Sequence, residues 1–161
     1  MYKELEKLYH AIDQITKRLE KIHKNRMQCT LGCTDCCVDN ITVFKIEADN
    51  IRHYHSNLLQ KEAPHAPGAC AFLDGIGACR IYEQRPYVCR TQGLPLRWVE
   101  ENTEYRDICP LNDEGRPVED LPPEQCWTIG PFEKRLALLQ NKRYNDRMER
   151  IALRSLFDSG K

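Results

Sequence analysis

Between Cys29 and Cys37 the chain reads Cys-Thr-Leu-Gly-Cys-Thr-Asp-Cys-Cys, four thiols in nine residues. A thiolate is a strong, soft donor for zinc or iron, and short gaps along a loop let successive sulfurs turn toward one centre. Five further cysteines follow at positions 70, 79, 89, 109 and 126. The total of nine is odd, so at least one cannot pair within the chain. Met1 leads into Tyr-Lys-Glu-Leu-Glu-Lys, which lacks the apolar run of a signal peptide. No later stretch reaches the roughly eighteen apolar residues of a membrane helix. The expectation is a cytoplasmic protein with no membrane partner, and in a reducing compartment nine thiols point to metal binding rather than a disulfide scaffold.

Charge narrows the partners further. Lys plus Arg (24) offsets Asp plus Glu (24), so the polypeptide offers no net field to attract nucleic acid. Four thiolates round a dication would leave about −2 per site, which makes nucleic-acid binding less favourable still. At 161 residues the length suits one domain, 1–161, with a modest core.

The flanks read as helices. Leu5, Leu8, Ile12, Ile15, Leu19 and Ile22 recur three and four apart over residues 2–25, an amphipathic pattern within an N-terminal segment 1–28. The same spacing admits a homodimer seam, but it runs for fewer than the roughly three heptads that such a seam needs. Within the C-terminal segment 126–161 a final helix is expected from Pro131 to Phe157, with Phe132, Leu136, Leu139, Met148, Ile151 and Leu156 as its stripe. The predicted fold class is a small, mainly α single domain. Its terminal helices pack together around a loop-rich, metal-organised cysteine cluster spanning 29–110.

The middle of the chain is punctuated by turn formers. Val38 to Phe44 favours an extended piece, and a helix is expected near 46–60. His53 and His55, two apart on that helix, face different ways and make no shared ligand pair. Asp74-Gly75 can turn a hairpin that presents Cys70 and Cys79 together. Pro86 suits the start of a helix holding Cys89, where the helix end with Arg85 and Arg90 would lower the thiol pKa. Five prolines between Gly93 and Pro123 predict little regular structure there. His65, near Cys70, is a supplementary ligand candidate at most, since thiols are in surplus.

Three readings of the cysteines compete. Cys29-x3-Cys33-x2-Cys36 has the spacing of a radical S-adenosylmethionine cluster motif, but the chain is too short for the strand-helix barrel of those enzymes. Cys33-x2-Cys36 is a zinc half-site without a second Cys-x2-Cys knuckle, so a standard finger is excluded. The third reading is a resemblance, carried by Cys33-Thr-Asp-Cys36-Cys37, Cys70-Ala-Phe-Leu-Asp and Gly77-Ala-Cys79-Arg-Ile-Tyr-Glu-Gln-Arg-Pro-Tyr-Val-Cys89-Arg90.

These blocks resemble the CxxCxxCC, or YkgJ-like, cysteine-cluster family of zinc- or iron-chelating domains. The resemblance implies eight metal ligands: Cys29, Cys33, Cys36, Cys37, Cys70, Cys79, Cys89 and Cys109. The family's first gap is usually two residues and here is three, and Cys126 is the alternative to Cys109 for the eighth place. The implied cofactor is an iron–sulfur cluster, 4Fe-4S preferred, with zinc the alternative. The implied function is a redox or electron-transfer component. The alternatives are a zinc-stabilised interaction module and, lowest, a methyl-transfer enzyme related to flagellin lysine methylases. No catalytic residue set is legible.

Overall fold

The computed structural model describes residues 2–145 and 148–158. Helix α1 (Lys3–Ile22) follows from its apolar spacing: Leu5, Leu8, Ile12 and Leu19 are each at most 2% exposed. Their stripe packs on Leu94, Tyr87, Trp127 and Leu136 within this same chain. Burying such a side chain contributes about 1.5–3 kcal/mol, so α1 is spent on its own core, and only Ile22 of the stripe is exposed.

A second apolar cluster lies toward the cysteines. Strand β1 (Thr42–Phe44) runs directly into helix α2 (Lys45–Tyr54), and α3 (Ser56–Lys61) follows. The expected single helix over 46–60 is broken at His55, which adopts a non-helical backbone between the two. Val43, Ala48 and Ile51 meet Phe72, Ile81, Leu153 and Leu156 in this cluster.

The carboxylate of Glu47 ties α2 to the first cluster. Its Oε1 accepts from the Tyr9 hydroxyl (2.9 Å) and the Tyr87 amide (2.8 Å), and its Oε2 accepts from the Phe44 amide (3.1 Å). The Tyr87 amide opens the four-residue helix α4 (Tyr87–Arg90). Tyr87 Oη in turn accepts from the Trp127 indole at 2.9 Å.

The expected mainly α class is corrected by the second half of the chain. Among the described residues 45% are helical and 13% lie in strands, in five helices and two small sheets. Strands β2 (Leu96–Glu100) and β3 (Thr103–Asp107) form an antiparallel hairpin where little regular structure was predicted. Its two turn residues, Glu101 and Asn102, both take positive φ (48° and 66°), the twist that two-residue hairpins favour. Trp98 and Tyr105 stack across it, ring centroids 5.5 Å apart. Strand β4 (Trp127–Thr128) joins β2 in parallel.

The final helix also falls short of its predicted length. Helix α5 (Pro131–Tyr144) starts with proline at its first position, and Glu133 accepts from the Gly130 amide at 2.6 Å. It packs on α1, but Asn145 takes a left-handed conformation (φ 53°) and ends it. Residues 146 and 147, inside the predicted helix, lie outside the described residues. Beyond them the chain reverses into β5 (Arg150–Ala152), which pairs antiparallel with β1. Ile151 and Leu156 therefore belong to a strand and a following 3-10 turn, not to a helical stripe. No described helix is long and apolar enough to cross a membrane.

Candidate metal centre

Two loops and a short helix bring cysteines to one cavity of about 490 Å³. The first, 29–37, is two consecutive turns, closed by Cys33 N–H to Thr30 O (3.0 Å) and Cys37 N–H to Thr34 O (2.8 Å). The second is the hairpin expected at Asp74-Gly75. Leu73 bridges Cys79, and Asp74 Oδ1 accepts from the amides of Ile76 (3.0 Å) and Ala78 (2.8 Å). Cys70 N–H donates to Cys37 O at 2.8 Å, which joins this hairpin to the first loop. At Gly77 (φ 79°) a Cβ would stand 3.4 Å from Gly32 Cα, so the two loops meet backbone to backbone.

The third element is α4, which carries Cys89, with Pro86 at its N-cap. Arg90 fixes this helix: its guanidinium donates to both Asp13 oxygens (2.8 and 2.7 Å), to Arg85 O (2.9 Å) and to Glu83 O (2.7 Å). Its face also covers the Tyr9 ring at 4.1 Å. Arg90 is thus a structural clamp between α1 and α4.

Seven of the eight predicted ligands line this cavity: Cys29, Cys33, Cys36, Cys37, Cys70, Cys79 and Cys89. Cys109 stands outside the lining, yet it is near enough to Cys29 for its charge to raise that thiol's pKa. Cys126 is elsewhere, buried with Ile108, Val118 and Leu121, where its Sγ accepts from Arg106 Nη1 at 3.0 Å. The histidines are engaged away from the sulfurs. His55 meets Gln84 Oε1 at 2.9 Å, His65 meets Ala66 O at 3.2 Å, and His53 packs against Tyr2 and Tyr54.

The thiols perturb one another. Cys37 donates to Cys36, which lowers the Cys36 pKa to about 6 and raises that of Cys37. Burial pushes Cys89 up to about 12, helped by Cys70 and Cys79. This reverses the lowering expected from the helix end and the arginines, because Arg90 is consumed by Asp13 and the enclosing wall excludes water. Burial likewise raises Cys29, Cys70 and Cys79. A metal ligand must be the thiolate, so filling such a site releases protons, and the cation supplies the charge that the wall lacks.

The chemistry of the donor set fits zinc or iron. Among the described residues, however, no three His, Cys, Asp or Glu side chains already converge as a metal-holding group. Sequence reasoning missed two further residues here. Gly93 (φ 85°) leaves the space that Cys29 Sγ occupies, and Asn112, fully buried, donates to that sulfur at 3.4 Å. The only signal for Asn112 was its place three residues after Cys109.

A fold that gathers cysteines from two loops and a short helix onto one cavity, without a finger knuckle, defines a cysteine-cluster chelating protein. Residues 28–110, just over half of the chain, match the CxxCxxCC family model, described as "Putative zinc- or iron-chelating domain", and the chain belongs to that family. No curated protein and no solved structure gives a match.

Proposed function

We propose that this protein is a metalloprotein in which thiolates drawn from Cys29, Cys33, Cys36, Cys37, Cys70, Cys79, Cys89 and Cys109 hold an iron–sulfur centre, 4Fe-4S with four thiolates to the cluster, for electron transfer or redox sensing in the cytoplasm. The observation that carries this reading is the lining of one cavity by seven thiols drawn from two loops and the short helix α4. When bound, a cluster exchanges single electrons at a potential set by hydrogen bonds to its sulfurs and by solvent exposure. The chain's own part is to hold the thiolates and limit water. Cys70 is buried and Cys89 largely enclosed, whereas Cys29 opens to solvent, so the centre would have a sheltered and an exposed side.

A second reading has its own observation. Leu31 and Ile76, at the tips of the two abutting loops, are 78% and 74% exposed. Apolar tips beside a cysteine cavity suit a zinc-stabilised interaction module. An absorption spectrum of anaerobically purified protein, with iron and zinc measured on the same sample, separates the two. Brown protein with about four irons per chain is the expected result. Colourless protein with one or two zincs per chain would replace the cluster with the zinc module.

A further inference from the structure

Cys29 is the most exposed of the cavity thiols, and it comes from a loop without helix or strand to fix it. Asn112 supplies what the backbone does not. Its side chain is 0% exposed, and each of its polar groups is engaged. Oδ1 accepts from the Gln28 amide at 2.7 Å, which sets the orientation of the side-chain amide. Nδ2 donates to Gly93 O at 2.8 Å and to Cys29 Sγ at 3.4 Å, with Met27 Sδ beside it at 3.7 Å. The Asn112 backbone N–H also donates to Cys109 O at 2.8 Å. One buried residue therefore links the first predicted ligand to the eighth.

The acceptor decides what this link is for. Burying an amide donor is costly unless it is well paired, and a neutral thiol is a poor acceptor. A thiolate turns the same contact into a charge-assisted hydrogen bond. The contact fixes Cys29 Sγ at the edge of the cavity. Gly93 completes the arrangement: a Cβ there would stand 2.6 Å from Cys29 Sγ and 3.1 Å from Asn112 Nδ2.

We infer that Asn112 is a positioning residue that holds Cys29 Sγ for metal and keeps Cys109 beside it for the same centre, which leaves Cys126 outside it. This rests on the cysteine-centre reading above. Hydrogen-bond partners of ligands, when removed, typically weaken metal binding by roughly 10–100-fold.

The test is a zinc titration of the full chain against a chromophoric chelator, comparing wild type with Asn112→Asp. That variant keeps the oxygen facing Gln28 and loses the donor. Zinc affinity is expected to fall roughly 10–100-fold, and to fall little further when the same change is made in a Cys29→Ser background. An unchanged affinity, or an equal loss in both backgrounds, would overturn the role, since a purely structural residue acts regardless of Cys29. A second measurement needs no variant. In wild-type protein, substoichiometric zinc should protect Cys29 and Cys109 from alkylation in parallel, and protection at different zinc ratios would overturn their shared centre. If wild type binds no zinc or iron at all, the cysteine-centre reading falls and this inference falls with it. If wild type binds and Asn112→Asp binds equally, only the inference fails.

Discussion

Replacing Gly93 by alanine separates backbone strain from steric conflict, because the chain carries its own control. Gly93 and Gly115 have nearly the same backbone, φ 85° and 89°. Either substitution places a side chain in the left-handed region, at a cost of about 1–2 kcal/mol. Around Gly115 nothing lies within 4 Å of the added Cβ, so strain is the whole effect there. At Gly93 the new methyl would meet Cys29 Sγ at 2.6 Å and Asn112 Nδ2 at 3.1 Å. Relieving such overpacking typically costs a further 1–3 kcal/mol or so. Gly93→Ala should therefore be less stable than Gly115→Ala by about 1–3 kcal/mol. With a urea slope of roughly 2 kcal/mol per molar, that separates their midpoints by about 0.5–1.5 M. Urea unfolding of the metal-free chains, followed by circular dichroism, measures the gap. Coincident midpoints would refute the claim that Cys29 is packed against this position.

Other consequences are open to direct measurement. In the metal-free protein Cys36 should be the thiol alkylated fastest at neutral pH, with its rate falling as pH drops through about 6, because the Cys37 thiol donates to its thiolate; mass spectrometry of the labelled peptides would count against this if Cys89 reacted as fast. Glu104 sits between Arg97 and Arg106, whose hydrogen bonds hold its carboxyl below the ordinary glutamate value. The unfolded chain then binds the proton more readily, so the stabilising effect is full above that ordinary value and is lost as pH falls through the depressed one. Carboxyl carbon shifts followed from pH 6 downward test the direction, and a midpoint at or above the ordinary value refutes it. A strong chelator added to metal-loaded protein should lower the melting temperature and loosen residues 29–110, while α1 and α5 keep their helical signal. An unchanged melting curve would show that metal contributes nothing to the fold.

Sequence made α1 legible because its apolar residues keep one period and end up in one wall of the core, Leu5 to Leu19. The same rule misled at the other end. Met148, Ile151 and Leu156 extend the helical stripe on paper, but Asn145 turns left-handed, and pairing with β1 outweighs the period. The β2–β3 hairpin was hidden by its turn, since Glu101-Asn102 lacks the glycine that marks such turns. At the site the reading was better for sulfur than for its surroundings. Seven of the eight cysteines named from the sequence line one cavity, six of them from the motif blocks. Asn112 and Gly93 escaped because their importance comes from contacts with Cys29 made across eighty-three and sixty-four positions of chain, and no local spacing records that.

Arg154 extends the point from structure to synthesis. Its guanidinium binds Asp39 and the carbonyls of His65 (2.7 Å), Ala66 (3.3 Å) and Ala69 (2.8 Å), and its neighbours Leu153 and Leu156 fill the cluster behind Cys70. The partner of Asp39 lies 115 residues further along the chain. At ribosomal rates of about 5–20 residues per second, that distance takes many seconds to make. Only the first cysteine loop precedes Asp39; Cys70, Cys79 and Cys89 are made within that interval. The segment that closes the apolar support of the cysteine loops is therefore made only after every cavity cysteine.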